Sequence, residues 1–225
     1  MSTKPPSISV NKLAEFMSAN PARQRQILHD CKYPTDFKGM YYKEASESIA
    51  LVIAKNLEDL TPISNRKAVL EQVVTDRIGT QRRIASNIDA IEGFEGMLDA
   101  IDLRGSEPSL GEHSPPKISM HGVAISVRPE IILRKSGKSG ALIGAMKLHF
   151  PRQFVLTTDA GSVVSAILQE WCSRNMVDEG KPAGDLCFVI DVGARKVHGG
   201  VKATNSRLKQ VDACCQNIAS LWPGI

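Results

Sequence analysis

The stretch that most constrains the fold runs from Val123 to Phe150, VAISVRPEIILRKSGKSGALIGAMKLHF. Two apolar, β-rich runs flank the basic turn Ser136-Gly137-Lys138-Ser139-Gly140, the pattern of a β-hairpin. Pro129 cannot donate a ladder hydrogen bond, so it marks a break, bulge or edge in the first run, Ile118 to Arg134. On the returning strand, Ala141 to Phe150, side chains two apart share a face. Ala145, Lys147 and His149 therefore point one way, and Gly144, Met146, Leu148 and Phe150 the other. If Glu130 faces the same side of the neighbouring strand, a carboxylate, an ammonium and an imidazole converge there.

Helical spacing precedes this hairpin. Residues 1–8 read as a polar, proline-containing tail. Ser9 then caps a helix to about Met17, and Asn20-Pro21 supplies a cap and an N1 proline for a second helix to about Lys32. YPTDFKGMYY, Tyr33 to Tyr42, concentrates four aromatic residues and reads either as a hydrophobic clasp or as a base-stacking platform beside Lys32, Lys38 and Lys43. Ile49, Val52, Ile53 and Leu57 give helical spacing over 43–59, Pro62 ends that helix or starts the next, and further helical pattern covers 65–79 and 80–101. Arg104 to Lys117 is rich in Gly, Ser and Pro without apolar period, and predicts a mobile loop beside the sheet.

After the hairpin come a helix over 158–173, with Asp159 near its start, and a continuously apolar strand, Leu186 to Val192, of the kind buried on both faces. A short strand over 197–201 and a terminal helix over 204–222 close the order. The fold class is α/β, or α+β by strict segregation: a mixed sheet of four or five strands flanked by the helices near 80–101, 158–173 and 204–222, with an N-terminal helical extension. Residues 1–60 make the helical region and 61–225 the core. A chain of 225 residues, 42% hydrophobic and 23% charged, has enough apolar surface for such a core.

Charge and cysteine content narrow the function classes. A net charge of +4 and a pI near 8.8 are compatible with a polyanionic partner without establishing one. Five cysteines without C-x-x-C spacing suggest neither a zinc site nor a disulfide framework, and Cys214-Cys215 reads as core. The first residues lack the apolar segment of a signal peptide and no run approaches the length of a membrane helix, so a cytoplasmic protein with no membrane contact is expected. G-x-S-x-G is absent, and RKSGKSG joins two strands without the spacing of a phosphate-binding P-loop. Asp191, ending the apolar strand, reads as a cap on a neighbouring turn or as a carboxylate facing a crevice.

The order helix, strand, strand bearing Pro-Glu, hairpin to a strand bearing lysine, helix, strand resembles the PD-(D/E)XK nuclease superfamily over Ile84 to Val192. The resemblance implies a restriction-endonuclease-like core acting on DNA or RNA. Acidic residues would hold Mg2+ or Mn2+ to activate water, and a lysine would assist the nucleophile or the phosphate. It assigns Glu130 as metal ligand and Lys147 as the catalytic lysine; His149, on the same strand face as Lys147, is a candidate further ligand or catalytic group. Arg134, Lys135 and Lys138 of the hairpin would touch the phosphate backbone. The chain departs from the family at Ala145, where an Asp or Glu belongs. A second acid could come from Glu71, Glu92 or Glu95; otherwise the fold serves as a catalytically inactive module that binds nucleic acid or a protein partner. Read on their own, Glu130 and Lys147 form a cross-strand ion pair, and His149 is a strand-end histidine bonded to backbone.

Overall fold

Helix starts follow from local chemistry. The Ser9 side chain accepts the Lys12 amide at 3.4 Å, Asn20 accepts the Arg23 amide at 3.0 Å and Thr157 accepts the Ala160 amide at 3.1 Å, each satisfying a donor that the first helical turn leaves free. In the computed structural model, which describes residues 5–34, 41–138, 140–200 and 204–225, the chain begins with β1 (Ser7–Ser9), α1 (Val10–Ser18), α2 (Pro21–Lys32), α3 (Lys43–Ala54), α4 (Thr61–Glu71) and α5 (Ile78–Glu95). Then come β2 (Glu107–Leu110), β3 (Ile118–Met120), β4 (Val123–Ser126), β5 (Ile131–Gly137), β6 (Gly140–His149) and α6 (Thr158–Asn175). The chain closes with β7 (Lys181–Pro182), β8 (Phe188–Asp191), β9 (Lys196–Gly199) and α7 (Thr204–Leu221).

The fold is α/β. The main sheet is mixed, with strand order β2-β5-β6-β8-β9 and β7 pairing β6. Strands β2, β5 and β6 form an antiparallel meander, α6 crosses over, and β8 lies parallel to β6. Alternation splits the side chains between two cores. Ile132, Ile143, Ala145 and Val189 join α1, α2, α6 and α7 on one face; Ile131, Leu133, Met146, Leu148 and Ile190 join α3, α4 and α5 on the other. The first 60 residues are thus divided between both faces.

Several expectations change. Residues 7–9 are not tail but β1, paired parallel with β4. The stretch 104–117 holds β2, an edge strand along β5. Pro129 separates strands of two different sheets, since β4 belongs with β1 and β3 in a three-stranded sheet of its own. Of the aromatic cluster, Tyr42 stacks on Phe150 at 5.2 Å and 14°, as a clasp would; Phe37 and Lys38 lie outside the described residues.

Among the described residues the cysteines form no disulfide. Burial pushes Cys214 up to about 12 and Cys215 up to about 11, which leaves both protonated at neutral pH. Among the described residues, no helix is long and apolar enough to cross a membrane.

Candidate functional site

Glu130 immediately precedes β5, and the register Ile131↔Met146 sets it opposite Lys147 on the α6 face of the sheet. Its own amide donates to the Met146 carbonyl at 3.0 Å, which extends the ladder by one residue past the Pro129 break. The Lys147 ammonium donates to Glu130 Oε1 and, at 2.9 Å, to the Arg128 carbonyl; the Leu148 amide donates to Glu130 Oε2 at 2.7 Å. The side chains keep only 12% exposure for Lys147 and 18% for Glu130. Both carboxylate oxygens are therefore engaged, one by an ammonium and one by a backbone amide.

A divalent cation would have to displace one of these partners and then find further oxygen ligands. Ala145 cannot supply them. It is fully buried opposite Ile132 in the core under α6. Glu92 and Glu95 lie on α5 and Glu71 ends α4, both helices stacked on the opposite face of the sheet, and Glu92 is paired with Lys67 at 2.6 Å. Among the described residues, no group of three or more His, Cys, Asp or Glu side chains is arranged to hold a metal.

His149 shares the face of Lys147 but turns to a different task. Its Nε2 donates to the Phe154 carbonyl at 2.6 Å, which fixes the tautomer because a carbonyl can only accept. Burial pushes its pKa below the usual histidine value, opposed by that carbonyl and by Asp191. Asp191, fully buried, accepts the Leu156 amide at 2.6 Å and the Ala194 amide at 3.0 Å, and so ties down both the 151–157 connection and the turn after β8.

The basic residues of the hairpin stand apart from this site. Lys138 lies at the far end of β6, nine residues from Lys147, roughly 30 Å along a strand. Arg134 is held by Glu179 at 2.5 Å and by Ser109 at 2.6 Å, and Lys135 donates to the Arg104 carbonyl; Lys138 is exposed at the turn. The structure brings Glu130, Lys147 and His149 to one end of the sheet and leaves the hairpin tip at the other.

One residue at the site carried a signal that sequence reading passed over. Gly111 donates its amide to the Glu130 carbonyl at 2.9 Å, and a Cβ there would lie 2.1 Å from the Pro129 oxygen. An isolated glycine at the end of a strand can mark such a close backbone approach.

No family model, curated protein or solved structure matches this chain. Its functional reading therefore stands on geometry and chemistry.

Proposed function

We propose that the chain is a catalytically silent, nuclease-like module that binds nucleic acid. The observation that carries the silent part is the Glu130 carboxylate with each oxygen engaged, one by Lys147 and one by the Leu148 amide, beside a buried Ala145. Support for the nuclease-like part is the order α5, β2, β5, β6, α6, β8, with a three-stranded meander followed by a parallel strand across one helix. That order agrees with the PD-(D/E)XK layout, with β3 and β4 inserted between its first two strands. The basic balance of the chain favours a polyanion as partner.

The test is a paired binding and cleavage measurement on the full chain, with labelled single-stranded and duplex oligonucleotides in Mg2+ and in Mn2+. The expected result is salt-dependent binding with no cleavage product, and binding that survives in a folded Glu130→Ala variant. Metal-dependent cleavage abolished by Glu130→Ala and by Lys147→Ala would establish an active nuclease instead.

A second reading, a protein partner, has one observation in its favour. Val69, Val73, Val74 and Ile78, at the end of α4 and the start of α5, are 57%, 45%, 97% and 64% exposed. Absence of any nucleic-acid binding at low salt would leave that reading standing.

A further inference from the structure

A cleft of about 330 Å3 opens on the α6 face beside the sheet end that carries His149. One wall is α1 and the start of α2, contributing Glu15, Ser18, Asn20 and Arg23; the other is the connection into α6, contributing Phe154 and Thr157. This second wall is pinned from beneath by two buried groups. His149 Nε2 donates to the Phe154 carbonyl at 2.6 Å, and Asp191 accepts the Leu156 amide at 2.6 Å. The main chain of 154–156 is thereby fixed, while the Phe154 and Val155 side chains stay on the surface, 39% and 48% exposed.

An exposed phenylalanine on a pinned backbone is the first half of a recognition site. Cations supply the second half. The Arg23 guanidinium lies 4.3 Å from the Phe154 ring centroid and the Lys12 ammonium 5.7 Å from it. Glu15 orients both, at 2.6 Å from Lys12 and at 2.8 and 2.5 Å from Arg23 Nε and Nη2. Lys12, Arg23 and Glu15 together carry one net positive charge at the surface, above the buried Asp191 carboxylate that pins the wall. Arg23 uses two of its five N–H groups on Glu15, so donors remain for an anion. The 18-residue helix α6 also opens at this wall, its first turn adding partial positive charge.

An aromatic ring with a guanidinium over it, whose outer plane and free donors face a cleft too small for a macromolecular surface, matches a planar ring joined to a phosphate. A base inside a duplex cannot present its face, whereas an unpaired one can. We propose that this cleft receives one nucleotide of a single-stranded nucleic acid, its base against Phe154 and Arg23 and its phosphate on the remaining donors of Arg23. The inference rests on the reading that this chain binds nucleic acid, and it moves the contact from the basic hairpin to the opposite end of the sheet.

Fluorescence anisotropy with a labelled single-stranded 12-mer and the matching duplex tests it, using the full chain. The native protein is expected to favour the single strand. Phe154→Ala should weaken that binding about tenfold, Phe154→Trp should retain it, and Arg23→Gln should weaken it and flatten the salt dependence by about one ion. The fold holds Phe154 chiefly by its main chain, amide to Pro151 and carbonyl to His149, while its ring meets Arg23 and Lys12 at the surface, so Phe154→Ala should lower the thermal midpoint only slightly, and this is measured alongside. Binding that is unchanged in Phe154→Ala but lost in Lys138→Ala overturns the cleft in favour of the hairpin tip. Equal binding of duplex and single strand, insensitive to Phe154, also overturns it. If the native protein binds neither oligonucleotide, the reading of the chain as a nucleic-acid binder fails, and the two failures are thereby told apart.

Discussion

His149 and His198 are each about 95% enclosed, and each keeps a ring nitrogen, Nδ1 and Nε2 respectively, with no hydrogen-bond partner among the described residues. Protonating either ring inside the fold would bury a charge without solvation. For His149 burial is the largest cause of a lowered pKa; for His198 it is burial and then Lys196, with Asp191 opposing in both. In the unfolded chain both titrate near 6.5. Above that value the two states bind equal numbers of protons at these sites and stability is flat. Below it the unfolded chain gains protons that the folded chain refuses, so stability falls as pH falls from about 6.5 toward the depressed folded values, by up to about 1.4 kcal/mol per pH unit per histidine. Urea midpoints between pH 8 and pH 5 should show this slope, and His198→Gln should reduce it; equal slopes in the two proteins would remove His198 from the account. The convergence of Glu130 and Lys147 was legible because strand alternation and the Pro-Glu break fix faces. The engagement of the second Glu130 oxygen was not, since the Leu148 amide that donates to it is a backbone group with no residue signature.

β2 shows why an element can escape a reader of sequence. Its residues Glu107-Pro108-Ser109-Leu110 run exposed, half-buried, half-buried, exposed, so no alternating apolar face betrays the strand. What holds it is the backbone ladder to β5, with Ser109 opposite Ile132 and Leu110 opposite Ile131. Short β1 is similar: a polar Ser-Ile-Ser segment becomes a strand only because β4 offers it an edge. The caps at Ser9 and Asn20, by contrast, depend on adjacent residues alone and could be read directly. Gly111 is where β2 meets the candidate site. Gly111→Ala forces a methyl onto the Pro129 carbonyl and should cost roughly 1–3 kcal/mol through the backbone shift it demands. Gly79→Ala, in the first turn of α5 with nothing within 4 Å of the added methyl, should instead be neutral or stabilise by up to ~0.5 kcal/mol through helix propensity. Chemical denaturation of the two variants side by side checks both signs. A neutral Gly111→Ala would mean that the 111–130 contact is loose and that β2 does not brace Glu130.

The layering of the whole molecule decides which residues can meet, and it depends on partner choice more than on pattern. Helical period tells which stripe of α5 is apolar, but not that this stripe packs under Met146 and Leu148, on the face away from Lys147. For that reason Glu92 and Glu95 looked eligible as second acids in the sequence and are sheet-separated in the fold. The same layering bears on the expected boundary near residue 60. Leu13, Phe16 and Leu28 are buried in the core under α6, while Ile49, Val52 and Ile53 are buried in the core on the other face. Burying six such side chains contributes roughly 9–18 kcal/mol at about 1.5–3 kcal/mol each, comparable to the 5–15 kcal/mol net stability of an ordinary domain. A chain of residues 61–225 would bare part of each face of its sheet at once, where α1 and α2 cover one and α3 the other. It should therefore lack a cooperative thermal transition and bind a hydrophobic dye strongly, where the full chain shows a single sharp transition and little dye binding. A sharp transition in the shortened chain would instead mark 1–60 as a separable layer, with the sheet stable on α4, α5, α6 and α7 alone.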